Sequence, residues 1–300
     1  MASLRKVIVF GATGSVGSAA ALKAFQEGAK VTLAMRDPSK PIPRLDGISV
    51  EKVQADLTQP DTVFNAARQS DAKTAFIYAV WGTTDGMRST LEALKKGGVE
   101  SVVFLSSFAV KGDPHAIKPA DIIAYVHAQI EIALADVFGD QRSSLRPAYF
   151  SSNVFQYKDE ILQGEVALPN PDVEFDWISP EDIGEVAGSI LAHGLQENVI
   201  PLVGPERLSL KDGLSLVGDT LGKEIKTPVV GKEQAIKDMQ RNGNPEGIAT
   251  WFVETVTSPK SFIWDAPTWE AGRDNIQKYT HKAPTMFRQW LDDNKGFFAA

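Results

Sequence analysis

The chain has 300 residues, 43% of them apolar and 23% charged, which suits one large α/β domain or two modest ones and excludes a disordered, collagen-like or coiled-coil chain. Its 31 lysines and arginines against 38 acidic residues leave a net charge of −7, a field that repels phosphate and argues against nucleic acid or an anionic membrane as partner. Zero cysteines exclude disulfides, thiolate catalysis and cysteine-ligated zinc, and His115, His127, His193 and His281 show no metal-ligand spacing.

The first apolar run, Val7–Phe10, is too short for a signal segment or a membrane span, so a soluble cytoplasmic protein is expected. Leu4–Phe10 reads as a buried strand, Ser15–Glu27 as a helix stopped by Gly28, Lys30–Met35 and Ile48–Val53 as the second and third strands. Pro60–Gln69 reads as a helix, Thr74–Val80 as a strand, Asp85–Lys96 as a helix ended by Gly97-Gly98, and Ser101–Ser107 as a strand. Asp121–Phe138 is a long helix and Ser143–Arg146 a short strand stopped by Pro147. Strands rich in Val, Ile and Phe that alternate with helices predict a doubly wound parallel sheet of Rossmann type.

After Pro147 the pattern breaks up, with prolines at 169, 171, 180, 201 and 205. Helices are expected after Pro180, through Asp182, Ile183, Val186, Ala187, Ile190 and Leu191, and over Ser209–Leu221. The last fifty residues hold four of the six tryptophans, Trp251, Trp264, Trp269 and Trp290, with Phe252, Phe262, Phe287, Phe297 and Phe298. These rings form either the core of a second lobe or the lining of an apolar cleft. The predicted division is a cofactor-binding Rossmann domain over 1–150 and a smaller α/β substrate lobe over 151–300, with the stretch near 175–200 returning to the first sheet.

The strongest local signal is Gly11-Ala12-Thr13-Gly14-Ser15-Val16-Gly17, between a strand and a helix. Glycine permits a tight turn and close backbone approach to a diphosphate, which the N–H groups and positive dipole end of the following helix attract. At the end of the second strand, where an NAD site places an acid for the ribose 2′-hydroxyl, the chain has Arg36. A guanidinium suits a 2′-phosphate, Lys40 lies in the next loop, and the first forty residues carry six basic against two acidic residues. NADP(H) is therefore the expected cofactor, with Asp37 the counter-signal. Asp56-Leu57 is expected beside the adenine, Asp56 serving the adenine amino group or a turn cap; Ala79 and Trp81 are expected at the carboxyl edge of the sheet.

These stretches carry a family likeness. GATGSVG, AMRDPSK around Arg36, ADLTQPDTV from Ala55, VVFLSSFAV from Val102, HAQIEIAL from His127, LRPAYFSSNVF from Leu145, ISPEDIGEVAG from Ile178 and LVGPERLSL from Leu202, with DTLGKEI, resemble in order the NmrA-like branch of the atypical short-chain dehydrogenases/reductases, fungal members above all. The resemblance implies an NADP(H)-binding Rossmann lobe and a C-terminal lobe over a substrate cleft, with Ser106, Pro147, Tyr149 and Phe150 on the nicotinamide side. The Tyr-x-x-x-Lys pair of the main branch is missing. Tyr125 is followed four residues on by Gln129, and in the register of isoflavone-reductase-like relatives His127 takes the lysine position and Ile123 the tyrosine position.

Candidate catalytic groups are then His127, which titrates near neutrality or simply contacts Glu131; Tyr125, on another face of the same helix; Ser107, with Ser106, at the end of the fifth strand; and Lys111 in the loop beyond. Trp81, Phe108 and Asn153 are the candidate substrate contacts. The expected function is an NADPH-dependent oxidoreductase that delivers hydride to C=O, C=N or activated C=C in an apolar, natural-product-like molecule of secondary metabolism, with ring formation in the same cleft as a variant. The alternative is a redox sensor that reads NADP(H) without turnover. A monomer or homodimer is expected.

Overall fold

A computed structural model describes residues 4–194, 197–258 and 266–299. Seven strands form one parallel sheet in the order β3-β2-β1-β4-β5-β6-β8. They are β1 (Lys6–Phe10), β2 (Lys30–Met35), β3 (Glu51–Gln54), β4 (Thr74–Tyr78), β5 (Ser101–Leu105), β6 (Arg142–Pro147) and β8 (Val199–Leu202). The central strands read VIVF, TAFIY and SVVFL because both faces are covered: their side chains are almost wholly buried. Strand order reverses between β1 and β4, the switch point at which open α/β sheets bind ligands.

On one face lie α1 (Ser15–Gln26) and α6 (Pro180–His193), on the other α2 (Pro60–Ser70), α3 (Arg88–Lys96) and α4 (Ile122–Phe138). The helix ends follow from their sequences. α6 starts with Pro180 in its first turn and Ser179 accepting from the Glu181 N–H, and α2 begins with Pro60 and carries Asp61 in its first turn. Two glycines on α6, Gly184 and Gly188, face α1 one turn apart; a Cβ there would stand 2.4 Å from Val16 O and 2.6 Å from Ala20 O. Their absence of side chain sets how closely the two helices approach.

Beyond β6 the chain builds a second cluster. It comprises α5 (Lys158–Gln163), a two-stranded antiparallel pair of β7 (Glu174–Phe175) and β9 (Leu208–Ser209), α7 (Leu210–Leu221), α8 (Lys232–Arg241), α9 (Glu246–Thr257) and α12 (Phe287–Asn294), while α10 (Ala266–Arg273) and α11 (Asn275–Thr280) pack back on β8 and α6, with Ile276 and Tyr279 in the core of the first sheet. The core of the second cluster is aromatic: Tyr149, Tyr157, Phe175, Trp177, Phe287, Trp290 and Phe298 are buried together. Trp290 and Phe298 are thus core, Phe297 is 57% exposed against Phe155, and Trp269 is half-buried beneath Arg207. Trp264 and Phe262 lie outside the described residues.

The helix expected after Pro180 is α6, packed on α1; the observed β8 and the late helices α8 to α12 add to the elements read from sequence, and several ends are shorter: β4 stops at Tyr78 and β5 at Leu105. No helix among the described residues is long and apolar enough to cross a membrane. A Gly184→Val variant should lose about 1–3 kcal/mol through the forced separation of α1 and α6, read as a lower urea midpoint at unchanged m-value.

Candidate functional site

A cleft of about 410 Å³ opens at the carboxyl ends of β1 to β4, lined by Phe10 to Thr13, Ala34 to Asp37, Lys40, Ala55 to Leu57 and Tyr78. Gly11 has φ +75°, and a Cβ there would meet the Tyr78 ring at 2.8 Å; a Cβ on Gly17 would stand 2.3 Å from Gly11 O. Gly14 differs. Its φ of −92° suits any residue, and its nearest neighbour in Cβ range is Gly11 O at 3.5 Å, so the fold itself does not demand a glycine there. No side chain caps α1 and no acid sits in its first turn, although α6 and α7 both carry serine caps. The first N–H groups and positive end of α1 are thus without a side-chain partner, directly after the Gly11–Thr13 stretch that lines the cleft.

Arg36 is exposed at the end of β2 and makes no ion pair among the described residues. The Asp37 carboxylate is turned back on its own loop, accepting from Ser39 N–H at 3.0 Å and Ser39 Oγ at 2.6 Å; these two bonds hold its pKa below the ordinary value. Lys40 lines the same cleft. Asp56 Oδ1 accepts from Thr58 N–H and Oγ1 at 2.9 and 2.8 Å, a turn-holding role on that oxygen. Leu57 is buried. Tyr78 is a cleft residue that the sequence reading missed; its place as the last residue of a central strand was the available signal.

Other candidates fall elsewhere. Val16 packs into the core behind the loop, Ser15 is exposed beside Thr13, and Phe150 packs against the α1–α6 core. Ser106 does not face a cleft. It is buried, and its hydroxyl donates to Glu131 Oε1 at 2.5 Å. Glu131 also takes Arg146 in a forked pair, Nε to Oε1 at 3.0 Å and the terminal nitrogen to Oε2 at 2.5 Å. The expected Glu131–His127 contact is thus replaced by a buried Ser106–Glu131–Arg146 cluster across β5, α4 and β6, because only Arg146 can neutralise a carboxylate at that depth.

His127 Nδ1 lies 2.8 Å from Ile123 O. A carbonyl only accepts, so Nδ1 carries the proton and Nε2 is the open acceptor. The ring sits edge-on to Trp81 at 6.1 Å and against Phe104 at 6.3 Å. Burial lowers its pKa, more than the Ile123 bond and Glu131 restore, and it is neutral at pH 7. Trp81 is 48% exposed above it. Tyr125 is half-buried on α4, and Asn153 half-buried in a 3₁₀ turn over Ser151–Tyr157; neither lines a described cavity. Lys111 stands 4.7 Å over the Phe108 ring and faces a different hollow beside Val199, Pro201 and Ala271.

A second cavity of about 90 Å³ lies at the carboxyl ends of β5 and β6, along the same edge of the sheet. It is lined by Ser107 to Ala109, Pro147 to Tyr149, Phe175, Trp251, Phe252 and Thr255. The structure therefore groups Pro147 and Tyr149, expected at the cofactor, with the substrate candidate Phe108. Tyr149 stacks on Phe175 at 3.8 Å, and the Phe252 ring lies nearly parallel to both. Ser107 Oγ accepts from Ala109 N–H at 3.2 Å, holding the turn. The Trp251 indole donates to Asp121 Oδ1 at 2.7 Å, tying α9 to the start of α4. Among the described residues no ionisable side chain other than Tyr149 lines this cavity, and burial raises the Tyr149 pKa well above its ordinary value.

Behind the cavity, the fully buried Asp176 accepts from Tyr149 N–H and Gly204 N–H, and burial pushes its pKa up to about 7.

This geometry defines a Rossmann nucleotide-binding protein with an adjoining apolar cavity, and the comparisons agree. Residues 11–152 match the NAD(P)H-binding family model. The chain is 33% identical over 313 residues to the nitrogen metabolite regulation-like protein bik4 of Gibberella fujikuroi, covering 95% of each. It is 24% identical to an NAD(P)H azoreductase of Xenophilus azovorans, over 98% of this chain and 99% of that one. The NADPH-dependent quinone oxidoreductase QOR2 of Escherichia coli, solved with NADPH, superposes with a TM-score of 0.76 at 17% identity, covering 96% of this chain and 99% of that one. The chain belongs to the NmrA-like family of NAD(P)H-dependent atypical short-chain dehydrogenases/reductases.

Two stability effects follow. Glu131→Ala strands a buried guanidinium and should cost about 3–5 kcal/mol in chemical denaturation. For Asp176, the folded state holds its proton up to about 7 while the unfolded chain releases it near 3.8. The folded state binds more protons inside that window, so this group lowers stability as pH rises through it. Asp176→Asn should remove that downward slope from unfolding free energies measured across the window.

Proposed function

We propose that the protein is an NADPH-dependent reductase of apolar, conjugated acceptors. The observation that carries this reading is the juxtaposition, along one sheet edge, of an uncapped glycine-loop cleft with cationic residues and an aromatic cavity without charge. The first cleft fits a dinucleotide: the α1 N-terminus meets the diphosphate, Gly14 lets it approach, and Arg36 with Lys40 grips the 2′-phosphate while Asp37 is held away by Ser39. Bound there, NADPH supplies the hydride.

The second cavity holds the acceptor against Phe108, Tyr149 and Phe252. Neither a Tyr–Lys pair nor a free carboxylic acid lines it. His127, neutral and with Nε2 open, can bond a ribose hydroxyl or accept a proton but brings no acidic proton of its own at pH 7. This favours acceptors that take hydride without a protein acid, such as a quinone or an iminium carbon. The names of the azoreductase and quinone oxidoreductase relatives point the same way. A natural-product-like quinone or imine of secondary metabolism fits the cavity's apolar lining, and a cleft of this shape can also fold a reactive product toward ring closure.

The name of the 33% identical relative and the missing Tyr–Lys pair favour a second reading, a redox sensor that binds NADP(H) without consuming it. The readings separate in one assay. The reductase should bleach reduced-nicotinamide absorbance when menadione, a naphthoquinone, is added with NADPH; a sensor should leave it unchanged with any conjugated acceptor and bind NADP+ and NADPH with different affinities. Arg36→Glu should weaken NADPH by about 1–3 kcal/mol in calorimetry and NADH far less. Equal weakening of both would refute the 2′-phosphate assignment.

A further inference from the structure

Asp176 sits where two strand ends and the aromatic cavity meet. Its carboxylate is wholly buried, and each oxygen takes one backbone N–H: Oδ1 from Tyr149 at 2.8 Å, just past β6, and Oδ2 from Gly204 at 2.7 Å, just past β8. Both partners are donors, an arrangement that the ionised group satisfies best. Protonation puts a hydroxyl on one oxygen and makes that oxygen a weaker acceptor for its N–H.

The surroundings allow little adjustment. Trp177 follows with φ +50°, a left-handed conformation that bulky residues avoid. It is held there by its indole bond to Leu208 O at 3.1 Å and by Ser151 Oγ on its carbonyl at 2.5 Å. Two glycines make room: a Cβ on Gly204 would stand 2.0 Å from Asp176 O, and one on Gly213 would stand 2.4 Å from the Trp177 ring. The preceding residue, Phe175, carries the ring on which Tyr149 stacks.

The charged groups of the packed segments are engaged elsewhere. Glu174 pairs with Arg207 at 2.7 Å, Glu206 accepts from Phe287 N–H at 3.0 Å, and Arg146 is committed to Glu131. The Tyr149 hydroxyl, 3.4 Å from the Gln156 amide, stays neutral because burial raises its pKa. Among the described residues no neighbouring cation holds the charge on Asp176; backbone amides do.

We propose that Asp176 is a positioning residue for the acceptor cavity: its ionised carboxylate pins the Tyr149 backbone, and through it the Tyr149–Phe175 wall, so that acceptor binding weakens when the group takes up a proton. This rests on the reading of the aromatic cavity as the acceptor site. The cofactor cleft, at the ends of β1 to β4, contains none of these residues and is unaffected. Burial sets the transition close to neutrality.

The test uses the full chain with saturating NADP+ and menadione as the probe, its dissociation constant measured by calorimetry at about pH 6 and about pH 8. Wild-type protein should bind menadione about fivefold more weakly at the lower pH, the value of one buried hydrogen bond, while NADP+ affinity stays constant. Asp176→Asn should bind weakly at both, and Asp176→Glu should restore part of the pH dependence. The Tyr149 and Gly204 amide resonances of wild-type protein should titrate over the same range, a readout that needs neither a variant nor turnover. Menadione affinity that is flat with pH, absent at both, or shifted in parallel with NADP+, or static amides, would overturn the proposal. Titrating amides with pH-dependent menadione binding but no NADPH consumption would keep Asp176 in this role and refute hydride transfer alone.

Discussion

The whole arrangement depends on one steric constraint, the contact of two backbones in the first turn of α1. The α-carbon of Gly17 lies so near Gly11 O that any side chain there would displace the helix. That contact aims the axis of α1 along the end of β1 and brings its uncapped amides to the sheet's carboxyl edge. Gly184 and Gly188 repeat the same device on the other side, letting α6 close on α1 at backbone distance. The loop is therefore held from both sides before any ligand arrives, which limits the ordering cost of binding a diphosphate.

Several polar groups are closed within the chain itself. α6 and α7 are capped by serines, Asp37 and Asp56 close their own loops, and Glu131 is shared between Ser106 and Arg146. Like most helices here, α1 has no side-chain cap; what sets it apart is its place beside a cleft in which Arg36 makes no ion pair among the described residues, so both attractions are open to a ligand. An anion with two separated negative centres uses both at once. The local positive field of the first forty residues, set in an acidic chain, makes the same cleft the favoured end point for such an anion.

How far the sequence could be read follows from the range of the forces involved. The parallel sheet, α1 to α4 and the glycine loop are written in local pattern: apolar runs of strand length, glycine spacing, helix-stopping glycines. β8 escaped because its four residues include Pro201, which an edge strand tolerates and a pattern search penalises. The fate of Ser106 and Glu131 was hidden for a different reason. Helical spacing joins Glu131 to His127, but the partner it takes, Arg146, comes from a strand fifteen residues on, and only the fold reveals that pairing. The aromatic residues of the C-terminal stretch divided between both expected roles: Trp290 and Phe287 went to the core, Trp251 and Phe252 to the cavity wall. Composition sees aromatic content and not which side of a helix it faces.

Asp176 shows why such a residue is invisible to pattern reading and yet consequential. As an ionised group it costs stability near neutral pH, since burial penalises its charge by more than the N–H bonds repay. A buried carboxylate with no cation is an expensive way to hold two loops together, and an asparagine would cost less in desolvation. An asparagine, however, offers one acceptor oxygen to two N–H donors, whereas a carboxylate offers two. The bonds to Tyr149 and Gly204, with the strained Trp177 between them, are therefore matched to a carboxylate and to nothing cheaper. Stability is spent at the point where the ends of β6 and β8 meet the aromatic wall, and the energy goes into the shape of the cavity rather than into the fold.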